Sequence, residues 1–302
     1  MKKSIAISSA VLGVAAAVVI LSSQTTIFGD LFNRLDNKAP ASVGSSQQNQ
    51  DSSTSTKATD SKGNDTAGQT DDKEVAAASA TMTSSQAAFQ AFMHENSPAL
   101  TVTKNAGGKD IVTNMNSPLV LVNKKRELAS TYSPNDLVVA KVTFSFSGTS
   151  PKQQLRAIAA QALEKLFAGA KKEDIELAAV SGYRSYVAQK SIFDNYAREN
   201  GEDEANTFSA HPGQSEHQTG LAMDVSSASV NYNLDESFGE SKEGKWLAEH
   251  AADYGFIIRY EKGKEGLTGY MYEPWHIRYV GVVVAGQVKK DNETLEQFLA
   301  KF

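Results

Sequence analysis

From Ala39 to Ala80 the chain is built from Ser, Thr, Gln, Asp, Lys and Gly with almost no large apolar side chain, and this stretch limits what can fold on either side of it. Such a segment cannot bury enough surface to offset the entropy of ordering it, so it reads as a flexible tether. Of the 302 residues, those left to build a core form one block, about 200 residues long and the size of a single domain. The expected division is residues 1–25 as an export or anchoring segment, 26–83 as a linker, and 84–302 as one folded domain. No repeat of regular length points to a solenoid.

Ahead of the tether, Lys2 and Lys3 precede an apolar run from Ile5 to Leu21 broken only by Ser8, Ser9 and Gly13, the pattern of an exported chain. The run is at the lower limit for a spanning helix and no clear A-x-A site follows it. An uncleaved membrane anchor is therefore expected ahead of a cleaved signal. The linker would let the domain sweep a radius on the order of 35 to 45 Å. A net charge of -5 supplies no basic field for nucleic acid, which is not an expected partner. A monomer is expected.

Within the block, the spacing predicts a helix from Ser84, where Ala88, Phe89 and Phe92 share a face. It predicts strands over 117–124 and 136–146, rich in β-branched residues. A core helix follows over 154–170, then the strand IELAAVSG, which delivers the turn Ser181–Gly182–Tyr183–Arg184–Ser185, and a helix over 187–200. Residues 201–214 read as a loop. KEGKWLAEHAADYGF is an amphipathic helix ended by Gly255, FIIRY and GYMYEPWHIRYVG are strands, and TLEQFLAKF is the last helix.

The chemistry concentrates in SEHQTGLAMD, residues 215–224, and YEPWH, residues 272–276. With five histidines and no cysteine in the chain, any metal must sit on His, Asp or Glu. His217 and Asp224 do not have the i, i+4 spacing of a helical pair, so a turn at Gly220 is needed to bring them together. With His276 they make a two-imidazole, one-carboxylate set suited to one zinc ion with a fourth position open for water. Taken singly, each of the three reads better as a hydrogen-bonded structural group.

Glu273 is the candidate base, but positions i and i+3 of a regular strand face opposite sides. A bulge or irregular turn at Pro274 and Trp275 is therefore required to aim Glu273 and His276 at one point. Arg184 is the candidate cation for a substrate carboxylate or an oxyanion. Gln189 is placed to reach the same end of the substrate, or else to face solvent. Ser215 and Gln218 are candidates to orient substrate or a ligand's second nitrogen. Tyr272 and Trp275 are candidate wall residues, with core packing the alternative. His94 and His250 read as surface or packing residues, and His211 as a solvated loop histidine, with the rim of the cleft the alternative.

These motifs together, SEHQTGLAMD, GYMYEPWHIRYVG, SGYRS and KWLAEHAADYGFIIRY, closely resemble the zinc D-alanyl-D-alanine carboxypeptidases of the VanY type, whose fold is shared with the hedgehog signalling domain. The resemblance runs from about Ser117 to Phe302. It implies an α+β fold with a small antiparallel sheet flanked by helices. It further implies that His217, Asp224 and His276 bind zinc, that Glu273 is the base, and that Arg184 engages the peptide. Ala129, Gln214 and Ile277 depart from the family's usual residues, and none is a proposed ligand.

The expected activity is removal of the terminal D-alanine from peptidoglycan stem peptides, on the outer face of a bacterial membrane or in the wall. Cleavage of L-lysyl-D-alanine in tetrapeptides is the alternative within the same chemistry. A zinc-stabilised wall-binding module without catalysis is the alternative from another class, and Glu273 argues against it. No S-x-x-K and no cysteine are present to support a serine or a thiol enzyme.

Overall fold

The four-stranded antiparallel sheet at the centre of the fold has the order β6-β7-β9-β8, from Ala178–Ser181 (β6), Ala222–Ser226 (β7), Phe256–Tyr260 (β8) and Glu273–Tyr279 (β9). The computed structural model describes residues 84–302, within which Gln90–Phe302 forms a compact unit. The expected anchor and linker, residues 1–83, lie outside the described residues. Among the described residues no helix is long and apolar enough to cross a membrane.

Residues 84–95 are helical, as the spacing predicts, and are labelled α1. The short strands Val102–Lys104 (β1), Asp110–Val112 (β2) and Arg126–Glu127 (β3) form one small sheet, and Leu137–Val139 (β4) pairs with Gln154–Arg156 (β5) in another. The core helix, Ala157–Lys172 (α2), buries Ala159, Leu163, Leu166 and Ala170 along one stripe. That stripe belongs to the same apolar cluster as Met223 and Val225 of β7 and Ile277 of β9. Each buried Leu, Ile, Val or Met of this cluster contributes about 1.5–3 kcal/mol on burial, and the cluster fixes which face of the sheet looks inward. Tyr186–Asn200 (α3), Glu202–Phe208 (α4), Lys242–His250 (α5), Val282–Asp291 (α6) and Leu295–Leu299 (α7) complete the main helices.

Three expectations are corrected. Residues 117–124 are buried at Leu119–Val122 but do not form a strand, apart from a bridge at Asn123. Their carbonyls are satisfied by guanidinium groups rather than by a ladder: Arg278 Nη2 donates to Pro118 O and Val120 O, and Arg126 Nε donates to Leu121 O. The run is apolar because it is buried, which periodicity alone cannot tell from a strand. The predicted strand over 136–146 is reduced to Leu137–Val139 plus a bridge at Phe144, and α4 lies in the expected loop.

The register of the central sheet matters most for function. Met223 pairs with Ile277 in the core, and the adjacent pair, Asp224 opposite His276, lies on the other face. A slip of one residue would exchange the two faces, so burial of Met223, Val225 and Ile277 locks the polar pair in place.

Candidate active site

His217 lies on a 3-10 turn, Glu216–Thr219, that Gly220 ends in a left-handed conformation at φ 66°. A Cβ at Gly220 would stand 2.9 Å from Leu137 Cδ2 and 3.0 Å from Arg156 Cγ, so both the backbone angle and the space require glycine. Directly after this turn the chain enters β7 and presents Asp224. Asp224 Oδ2 lies 3.3 Å from His217 Nε2, and Oδ1 lies 2.9 Å from His276 Nδ1. All three residues are buried, and one ligand atom from each lies within 4.8 Å of the others.

A tetrahedral cation with ligand distances of about 2.0–2.1 Å separates its ligand atoms by roughly 3.4 Å, so this set fits zinc. The ring of His217 is already oriented for it. Nδ1 sits 2.8 Å from Gly182 O, so Nδ1–H donates to that carbonyl and the Nε2 lone pair is left facing Asp224. Gly182 can approach this closely because a Cβ there would meet Gln154 O at 2.5 Å. The same turn is tied at each step, with Gly182 N donating to Lys152 O, Tyr183 N to Gln154 O and Arg184 N to His217 O.

The irregularity required in the last strand is present. The pairing of β8 with β9 passes from Ile258–Ile277 to Tyr260–Glu273, so residues 274–276 stand against Arg259 alone. This bulge at Pro274 and Trp275 lets Glu273 feel the charges of His276, Asp224 and Arg184. Burial is the largest influence on Glu273 and, with the Asp224 and Glu216 carboxylates, pushes it up to about 7 against the pull of His276 and Arg184. Burial disfavours the charged form of His276, but the Asp224 and Glu216 carboxylates override it and raise that imidazole to about 9. His217, by contrast, is lowered by its burial.

Arg184 is held rather than free. Its Nη1 donates to Gln189 Oε1 at 2.9 Å and its Nη2 to Ser181 Oγ at 3.3 Å. Gln189 is buried beside Arg184 rather than facing solvent, and its amide is engaged by the protein. Oε1 accepts from Arg184 and Nε2 donates to Ala210 O at 2.7 Å. Gln218 also serves the protein itself. It is fully buried, and its Nε2 donates to Ala129 O and Tyr132 O, fastening the 129–132 turn to the ligand turn. Ser215 is buried at the start of that turn. Trp275 packs against the apolar core, and Tyr272 lies beside Gly239 and beneath Lys262.

Four residues of this region, Glu216, Arg259, Arg278 and Tyr260, are not singled out by the sequence. Glu216 is buried between Arg259 and Arg278, and although burial opposes its charge the two guanidiniums hold it far below the usual carboxylate range. A charged residue inside each of two otherwise apolar strands, FIIRY and WHIRY, was the available signal, because a buried arginine implies a buried anion. The ring of Tyr260 stacks on that of His276 with centroids 5.0 Å apart.

Comparison with known proteins agrees with this geometry. Residues 152–282 match the family model described as VanY, D-alanyl-D-alanine carboxypeptidase. A Bacillus subtilis (strain 168) protein, YodJ, named as a carboxypeptidase, is 50% identical over 198 residues, covering 66% of this chain and 72% of that relative. The solved structure of the LdcB LD-carboxypeptidase, described with its recognition of peptidoglycan, is 49% identical, covers 67% of this chain and 94% of that one, and superposes with a TM-score of 0.65. A Zn(II) complex of a variant of the vancomycin-resistance D,D-pentapeptidase VanY is 28% identical, covers 60% of this chain and 98% of that one, and has a TM-score of 0.50. With the α+β fold, the buried His-Asp-His set and relatives matched over most of their length, this chain is a carboxypeptidase and belongs to the VanY family.

Proposed function

We propose that the protein is a zinc-dependent carboxypeptidase that removes the C-terminal D-alanine of peptidoglycan stem peptides. The observation that carries this reading is the convergence of His217, Asp224 and His276 on one buried point with Glu273 beside it. His217 Nε2, Asp224 and His276 Nδ1 would hold one zinc ion, which when bound acidifies a water and polarises the scissile carbonyl. Glu273, raised to about 7, is suited to accept the water's proton near neutral pH and to deliver it to the amine nitrogen of the leaving D-alanine. The Arg184 guanidinium, fixed by Gln189 and Ser181, offers its remaining donors to the substrate's terminal carboxylate. The Lys2–Lys3 and Ile5–Leu21 pattern supports action outside the membrane, on a tether.

The family model's description supports the D-alanyl-D-alanine bond of pentapeptides. A second reading, the L-lysyl-D-alanine bond of tetrapeptides, is favoured by the greater likeness to LdcB, 49% against 28% for VanY. We take the second as the preferred bond. The test is the ratio of kcat/KM on pentapeptide and tetrapeptide stems. A tetrapeptide preference supports this order and a pentapeptide preference reverses it. Release of D-alanine from neither stem rejects both.

A further inference from the structure

Glu216 belongs to none of the roles described so far, yet it is buried next to a candidate ligand. Its Oε1 accepts two charged hydrogen bonds, from Arg259 Nε at 2.8 Å and Arg278 Nη1 at 2.6 Å. Its Oε2 accepts none, and lies 3.6 Å from His276 Nε2, a buried nitrogen that also lacks a partner. Two orphaned groups of matching chemistry, a carboxylate oxygen and an imidazole nitrogen, thus face one another across a gap of 3.6 Å. On the far side Arg259 is gripped by Glu296 of α7, with Nη1 to Oε2 at 2.9 Å and Nη2 to Oε1 at 2.6 Å. Asn123 Nδ2 donates to the same Oε1 of Glu296.

We propose that Glu216 is a positioning residue for the metal site, taking the Nε2–H of His276 so that Nδ1 is the nitrogen turned to the cation, and that Glu296 holds it in place through Arg259. The inference rests on the reading that His217, Asp224 and His276 hold zinc. Its logic is that an imidazole has two nitrogens and can ligate through either, so a fixed proton on one assigns the other. A neutral glutamine at 216 would turn its carbonyl to the arginines and its NH2 to His276, opposing the required tautomer. The last helix of the chain would therefore act on the metal centre through a line of side chains.

The test uses the full chain. Zinc dissociation constants are measured by chelator competition for the unaltered protein, Glu216→Gln and Glu296→Gln, below their unfolding temperatures, with folding followed by circular dichroism. The histidine 15N spectrum of the zinc-loaded, unaltered protein is recorded alongside. Glu216→Gln is expected to weaken zinc by about 10- to 100-fold while folded, Glu296→Gln is expected to weaken it less, and His276 Nε2 is expected to carry the proton. A role confined to holding the fold lowers the melting temperature and leaves zinc affinity unchanged, and that result overturns the proposal. So does a spectrum with the proton on His276 Nδ1. If Glu216→Gln does not fold, the spectrum decides. An unaltered protein that binds no zinc overturns the metal reading itself, and this inference with it.

Discussion

Asp224 and His276 stand directly opposite one another on neighbouring strands, with Oδ1 and Nδ1 2.9 Å apart. The pairing depends on a register locked by apolar residues one step away, so the candidate metal site and the core are specified by the same strand alignment. A carboxylate and an imidazole in this contact stabilise the protonated ring in the absence of a cation, and a cation must displace that proton.

Zinc binding is therefore linked to pH. The metal-free His276 is raised to about 9, so at pH 7 it holds a proton on the nitrogen facing Asp224, while the lowered His217 does not. Zinc binding at pH 7 is expected to release a proton from His276, and affinity is expected to rise with pH until it levels off near 9. Calorimetry in buffers of different ionisation enthalpy measures this release. Binding without proton release would contradict the assignment.

Gly220→Ala tests the ligand turn. The substitution places a Cβ at φ 66° and within 3.0 Å of Arg156 Cγ and Leu137 Cδ2. It is expected to cost about 1–3 kcal/mol in stability and to weaken zinc, because His217 and Asp224 lie on either side of it. Denaturant unfolding with and without metal reads both effects.

Gln189→Leu tests whether Arg184 works only when tethered. Loss of one buried hydrogen bond to a guanidinium amounts to about 1.5–3 kcal/mol, so KM for the stem peptide is expected to rise about 10- to 100-fold with zinc content unchanged. A steady-state comparison of the two proteins checks it. An unaltered KM would show that Arg184 does not depend on the Gln189 tether.

Much of this site was legible in the sequence. The two stretches at 215–224 and 272–276 name all three candidate ligands and the base, and the clash between Glu273 and His276 on a regular strand announces the bulge that the structure contains. The α+β architecture came with the family resemblance. What could not be read is where polar side chains spend their hydrogen bonds. Gln189 and Gln218 read from the sequence as substrate contacts, and only the fold reveals that Gln189 also holds Arg184 and that Gln218 also fastens the 129–132 turn. Leu119–Val122 looks like a strand because only the distant Arg126 and Arg278 reveal who satisfies its carbonyls. Glu216 was hidden for the same reason, since its partners lie 43 and 62 residues further along the chain.

In the proposed reaction Glu273 moves the proton of a zinc-dependent hydrolysis. This role is tested most directly by measuring kcat on stem peptide for the unaltered protein and Glu273→Gln, with zinc content determined in the same samples. Equal zinc loading and a loss in kcat of about 10²- to 10⁴-fold are expected. Equal loading with undiminished kcat would contradict this role.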